Sequence, residues 1–472
     1  MEGFVPLLIG LGIPALAVLY RYLRHRQIER VLLQAAASLG FVPSPGSRWP
    51  RMNGLPQIRG VLHGQEVVIE AVPRKSRLGR DRNRTRLMLR VSPPGGVPYQ
   101  LQVQREGLDT ALKKMFTGQD LQLCDADFDN LINITGNNEA AIVSLMSSGT
   151  RLLMRQMIGS EGWEIGGKRI RKDITDLATD SSQIVDYVER AVALSQRLGR
   201  GGNVAEQLIE NLQCEPNPQV RRRNLDMLVR LKRTPAIEDA LVKAASSNSW
   251  TISVPAAEAL GERGLPALAA ATISAPEELA IKAILALKEI GSDEAMAVVH
   301  DALEHRSDRV VTAAALAAGE RKHEVSLAAL CDIVSGPRST ATRAAAATAL
   351  GHFQGEQARA AVVGALHAEE EDVRLAAIRS LARCGAAEEV ADLLDIEKSG
   401  SSRQRAWARQ AVASIQGRLG RVERGWMSMT EETATEGALS VDTAAPEGSL
   451  SLDAPGPRLE KARRRETRGL GS

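Results

Sequence analysis

The chain has 472 residues, more than one ordinary domain holds, and its 44% hydrophobic and 25% charged residues are a globular balance. A formal net charge of +3 argues against nucleic-acid binding by bulk charge, and four scattered cysteines (Cys124, Cys214, Cys331, Cys384) give neither a disulfide framework nor a zinc-site spacing. Aromatic residues make up only 3%, so small and aliphatic side chains must do most of the packing.

Residues Gly3–Tyr20 carry no charge over 18 positions, and the stretch extends to Leu23 if Arg21 snorkels. About 20 apolar residues span a bilayer core. Pro6 and Pro14 are costly in a soluble helix and tolerated in a membrane one. Arg21, Arg24, Arg26 and Arg30 follow the run. The pattern predicts an N-terminal transmembrane helix within 1–27. By the positive-inside rule it is a single pass of a bacterial inner membrane, N-terminus out and the bulk of the chain cytoplasmic.

Residues 28–200 read as a small juxtamembrane α+β domain. Residues 28–39 keep a helical period and continue the anchor helix. Strands are expected around Val61–Val72, over Arg84–Val91 and over Tyr99–Gln104, where apolar and polar residues alternate. A hairpin is expected at Trp163–Arg171 with Gly166-Gly167 as its turn. Helices are expected at 107–116, 138–158 and 181–198, the last with Asp180 and Gln183 as a capping box. Asp125, Asp127 and Asp129 imitate the start of a calcium loop, but Asn130 and Gly136 stand where Gly and Glu belong, so turn formation is the expected role.

The basic run Arg74, Lys75, Arg77, Arg80, Arg82, Arg84, Arg86 suits either an anionic lipid surface or a solvated face. Over 21–172 there are 24 Lys and Arg against 13 Asp and Glu, a balance of +11.

From about 203 to 416 a triad recurs: Val220/Asn224/Leu228, Ile252/Ala256/Leu260, Leu279/Ala283/Leu287, Val310/Ala314/Ala318, Thr342/Ala346/Leu350, Val373/Ala377/Leu381 and Gln404/Ala408/Val412. The third members Leu228, Leu260, Leu287, Ala318, Leu350, Leu381 and Val412 fall 32, 27, 31, 32, 31 and 31 residues apart. A spacing of four puts each triad on one helix face, and the small middle residue lets helices approach closely. Shorter helices are expected before most of them, at 206–213, 237–245, 294–303, 324–334, 356–366 and 387–396. Helix pairs at a fixed period predict a mainly α chain built on an α-solenoid of about seven repeats. Arg374 opens its helix off the anchor face and is expected to be a surface residue.

The stretch EEEDVRLAAIRSLARCG (369–385), with Val220-Arg221, Val373-Arg374, Thr342-Arg343 and Gln404-Arg405, resembles HEAT repeats of the short bacterial, phycobilin-lyase type, in the armadillo-like class. That resemblance implies an interaction scaffold and no particular activity. Phe128-Asp129, Ile132, Ile134 and Gly136 are loosely similar to a pattern in uncharacterised domains of bacterial membrane proteins. One HEAT-type hydroxylase family holds iron through several His-Glu pairs, whereas this chain has a single one, His323-Glu324. Over 203–416 there are 24 basic against 29 acidic residues, a balance of −5, which disfavours a nucleic-acid groove.

Residues 417–472 read as a disordered tail, with Gly425–Thr430, Gly437–Asp442 and Gly448–Asp453 sharing a Gly-x-apolar-Ser-apolar-polar pattern. The expected function is a membrane-anchored, cytoplasmic-facing, non-enzymatic scaffold for protein–protein interaction. It has no catalytic, cofactor or metal residues, and its partner proteins are unknown. The alternatives are a lyase-like or other cofactor-modifying enzyme on the same repeats, and a nucleic-acid-binding solenoid.

Overall fold

The computed structural model describes residues 4–44, 55–73, 85–106, 121–174, 180–199 and 202–432, with the backbone path alone for 4–17, 21, 73, 85 and 420–432. The expected helix at 107–116 lies outside them. The chain divides into two compact units, with the boundary between Ser380 and Leu381.

The first unit opens with α1 (Phe4–Leu39), a single uninterrupted helix. Its later turns bury Ile28, Val31, Leu32, Ala35 and Ala36. The N-terminal part of the expected span, 3–17, lies outside the described side chains. Among the described residues no helix is long and apolar enough to cross a membrane.

Strands β1 (Val42–Pro43), β2 (Ile58–Leu62), β3 (Gln65–Pro73), β4 (Thr85–Ser92), β5 (Gln102–Arg105), β6 (Ile132–Thr135), β7 (Glu164–Gly166) and β8 (Arg169–Ile174) form one sheet. Its order is β1-β2-β3-β4-β8-β7-β5-β6, and every recorded pairing is antiparallel. Alternation buries Ile58, Val67, Ile69, Leu87, Leu89, Val91 and Ile170. Helix α1 and a later helix, α5 (Ser181–Leu198), pack on the β2–β4 part of this sheet. Between β5 and β8 lie a short helical turn, α2 (Ala126–Asp129), and two helices, α3 (Glu139–Leu145) and α4 (Ser148–Met154), the last running on as a π-helix over Arg155–Ser160.

Several local expectations need correction. Tyr99 and Gln100 do not extend β5, because both sit in left-handed backbone at φ 57° and 52°. The hairpin turn is Gly167-Lys168, both at positive φ, so Gly166 pairs with Arg169; the turn moves by one residue and each cross-strand partner by two. The single helix expected over 138–158 breaks at Met146-Ser147, where the Ser147 hydroxyl accepts from the Thr150 amide and starts α4 afresh. Asp180 caps α5 by accepting from the Ser182 amide, while the Gln183 amide donates to the Tyr187 hydroxyl, so no capping box forms.

The solenoid follows as helix pairs: α6 (Val204–Cys214) with α7 (Pro218–Arg230), α8 (Pro235–Ala245) with α9 (Trp250–Leu260), and α10 (Leu265–Ser274) with α11 (Glu277–Ile290). Then come α12 (Asp293–Asp301) with α13 (Asp308–Glu320), α14 (Leu327–Ser335) with α15 (Thr340–Leu350), and α16 (Glu356–Ala365) with α17 (Glu371–Cys384). Side-chain caps from Asn203, Asn217, Thr234, Ser292 and Ser339 start five of them. Gly319 lies where α13 meets α15; a Cβ there would come within 2.5 Å of the Ala349 Cα. Only a glycine allows that approach without a shift.

The second unit holds the last turn of α17, then α18 (Val390–Ser399) and α19 (Ser402–Glu432). Ala408, Ala411 and Ile415 are fully buried. The helix was expected to end near 416, yet α19 continues to Glu432. Arg418 holds that continuation by donating to the Ala382 and Gly385 carbonyls. Gly417, Gly420 and Gly425 weaken a helix interior by about 1 kcal/mol each without ending it. Residues 433–472, with two of the three tail motifs, lie outside the described residues.

Candidate interaction surface

The second helices of three consecutive pairs, α11, α13 and α15, line a groove of about 380 Å³. Ile281 and Leu285 from α11, Ala313 and Leu316 from α13, and Ala341 from α15 make its apolar surface. Leu285 is 46% and Leu316 36% exposed. Helical spacing explains the arrangement. The triads Leu279/Ala283/Leu287 and Val310/Ala314/Ala318 turn toward the core, and residues two positions on turn outward.

Ion pairs cross this surface from one repeat to the next. The Lys288 amine lies 2.9 Å from a Glu320 carboxylate oxygen, and Arg309 pairs with Glu277. Asp308 reaches the start of α15, accepting from the Ser339 amide at 3.0 Å and from Arg338 at 3.1 Å. These bonds hold the Asp308 carboxyl below its ordinary value, the Ser339 bonds first and Arg338 after them. The groove is thus an apolar strip set between paired charges.

A second, polar cavity of about 340 Å³ lies where the α+β domain meets the first repeat, lined among others by Ser144, Ser148, Arg197, Gln207 and Asn211. Beside it Arg151, nearly buried, donates to both Glu215 oxygens at 2.9 Å and to Asp125 at 2.8 Å. Asn211 donates to the Ser144 carbonyl at 3.0 Å and to the Asn224 side chain at 3.2 Å. These bonds join the first repeat to the α+β domain, which therefore covers the end of the array. Asp125 and Asp129 are spent on this framework. Asp129 accepts from the Leu123 and Asp125 amides, and burial raises its pKa.

Of the sequence-selected core residues, Leu228, Leu287, Ala318, Leu350 and Leu381 are fully buried and Val412 is buried. Leu260 is half-buried, because Gly261 turns the chain immediately after it at φ 60°. In the basic run, Arg74, Lys75, Arg77, Arg80, Arg82 and Arg84 lie outside the described residues. Arg86, on β4, is paired with Asp173 on β8 and is not a free lipid contact. Arg374 is also no free surface residue: it donates at 2.6 Å to the carbonyls of Ala368 and Glu369. Arg221 does the same to Glu215 and Arg343 to Val334. The arginine that follows the first triad residue thus closes the carbonyl end of the preceding segment in three repeats. Among the described residues, no group of three or more His, Cys, Asp and Glu side chains is placed to hold a metal ion.

The sequence model of HEAT repeats matches residues 265–340 and 334–413. Residues 265–413 are thus similar to HEAT repeats. The helix pairs α6–α7 and α8–α9 extend the same arrangement toward the N-terminus. A comparison with curated proteins gives no match. Among solved structures, an engineered protein is similar at 21% identity, over 46% of this chain and 98% of that one, with a TM-score of 0.27. Human deoxyhypusine hydroxylase in complex with glycerol is similar at 16% identity, over 45% of this chain and 96% of that one, with a TM-score of 0.23. The karyopherin Kap121p is similar at 12% identity, over 68% of this chain and 37% of that one, with a TM-score of 0.38.

Sequence reasoning found the buried face of the HEAT repeats and missed the exposed one.

Proposed function

We propose that this chain is a non-enzymatic scaffold that captures an apolar segment of a partner protein in the groove of α11, α13 and α15. The observation that carries the reading is the pair of exposed leucines, Leu285 and Leu316, on the second helices of successive pairs between inter-repeat ion pairs. Contiguous exposed apolar surface rimmed by polar groups marks an interaction site. A photocrosslinking residue at position 316 should trap a discrete adduct in cells. The same residue at the exposed Ile273, on α10 outside the groove, should not. Equal trapping at both positions, or none at 316, overturns the reading.

The same proposal includes attachment to the bacterial inner membrane through residues 3–23, N-terminus out. The uncharged run Gly3–Tyr20 and the arginines behind it support this. Val18, Leu19 and Leu23 are exposed, and Arg24 and Arg26 donate back to the Tyr20 and Tyr22 hydroxyls at 3.4 and 3.3 Å, an aromatic and basic collar suited to a lipid interface. The chain lacking 3–23 should leave the membrane fraction. Its persistence there after an alkaline carbonate wash would defeat the attachment.

A further inference from the structure

Two histidines from successive repeats share one buried hydroxyl. His300, on α12, has Nδ1 3.2 Å from the Ser326 Oγ, and His323, after α13, has Nδ1 2.8 Å from the same oxygen. Ser326 is fully buried. The rings face each other edge-on, centroids 6.2 Å apart at 61°.

A hydroxyl has one proton and two lone pairs. With both rings neutral, it donates to one Nδ1 and accepts from the other, and the cluster is satisfied. Adding a proton to the accepting ring turns both Nδ1 atoms into donors. The serine proton then has no place between the rings, and a second proton would set two cations against each other. The charged groups around the pair do little to relieve this. Asp293, in the first turn of α12, is the acid that acts on His323. Lys322, Glu324 and Glu304 are exposed, and Arg321 is committed to the Lys288 and Glu289 carbonyls. Burial first, and His300 second, lower the His323 pKa against that acid.

The position gives the cluster leverage. The His323 amide donates to the Ala318 carbonyl at 3.0 Å, so the ring is tied to the end of α13. We propose that His300, Ser326 and His323 form a proton-operated latch between successive repeats, closed when both rings are neutral and loosened when the ring that accepts the serine proton takes up a proton of its own. This goes beyond the docking reading and does not depend on it.

Amide exchange on the full chain at pH 7.5 and 5.5, corrected for intrinsic rates, tests it. Protection over 295–303 and 326–334 should fall at the lower pH, by at most about tenfold because pH 5.5 lies one unit under the ordinary histidine value of 6.5, while 235–260 should hold. In His300→Gln/His323→Gln the amides can still bond Ser326 but cannot titrate, so the pH response should vanish. Ser326→Thr should keep it. Equal protection at both pH values in the unaltered chain, or an unchanged response in the double Gln variant, overturns the latch. If the double variant does not fold, ring titration by NMR decides. His323 should protonate below its ordinary value of 6.5, and its titration at or above that value overturns the proposal.

Discussion

Arg151 and Glu215 meet through two parallel hydrogen bonds of 2.9 Å although 64 residues separate them. Neither side chain exceeds 5% exposure, so both charges have left water and depend on each other. Replacing Arg151 with Met strands the Glu215 and Asp125 carboxylates. The expected loss is about 3–5 kcal/mol, read by chemical denaturation. The double change Arg151→Met/Glu215→Leu should recover much of that loss, since no uncompensated charge then remains at position 215.

Arg374 is expected to matter more than a surface arginine. Its guanidinium serves two carbonyls at the end of the preceding segment, so Arg374→Ala should cost about 1.5–3 kcal/mol, against the 0.5 kcal/mol usual for exposed sites. Arg343→Ala should act in the same way on the Val334 carbonyl. Urea denaturation of each variant gives the measurement, and a change under 0.5 kcal/mol in both would contradict this role.

Gly319→Ala adds one methyl group where no room exists. The new Cβ would lie 2.5 Å from the Ala349 Cα, a backbone atom that cannot swing away. Overpacking of this kind costs about 1–3 kcal/mol, so the thermal midpoint should drop even though alanine is the better helix former.

The Asp308 carboxyl is held below its ordinary value of 3.8 in the folded chain. A depressed folded pKa contributes stability that is present above the unfolded value and is lost as pH falls through the folded one. Asp308→Asn should therefore lower the urea midpoint at pH 6, and the gap from the unaltered chain should close below about pH 3.8. A gap that stays constant down to pH 2.5 would show that the charge is not what counts.

The triads were legible because a four-residue spacing with a small middle member has one physical solution, a helix face pressed against another. The groove was not legible, since Leu285 and Leu316 are individually ordinary and become a surface only when α11 and α13 stand side by side. The Arg151–Glu215 pair was hidden for a related reason: the sequence says that an arginine sits in SSGTRLLM, and only the tertiary fold supplies its carboxylate. Gly166-Gly167 misled by one position because Lys168 itself adopts a left-handed backbone, which composition gives no cause to expect. The glycines after 416 misled in the opposite direction: they weaken α19 without ending it.

Helix α1 has no joint in its 36 residues, a rod of about 54 Å. Its last three turns are built into the core through Leu32, Ala35 and Ala36. It is a lever with one end cemented. A tilt or roll imposed on its outer turns would have to pass into the α+β domain through that buried end, the part of the helix fixed by packing.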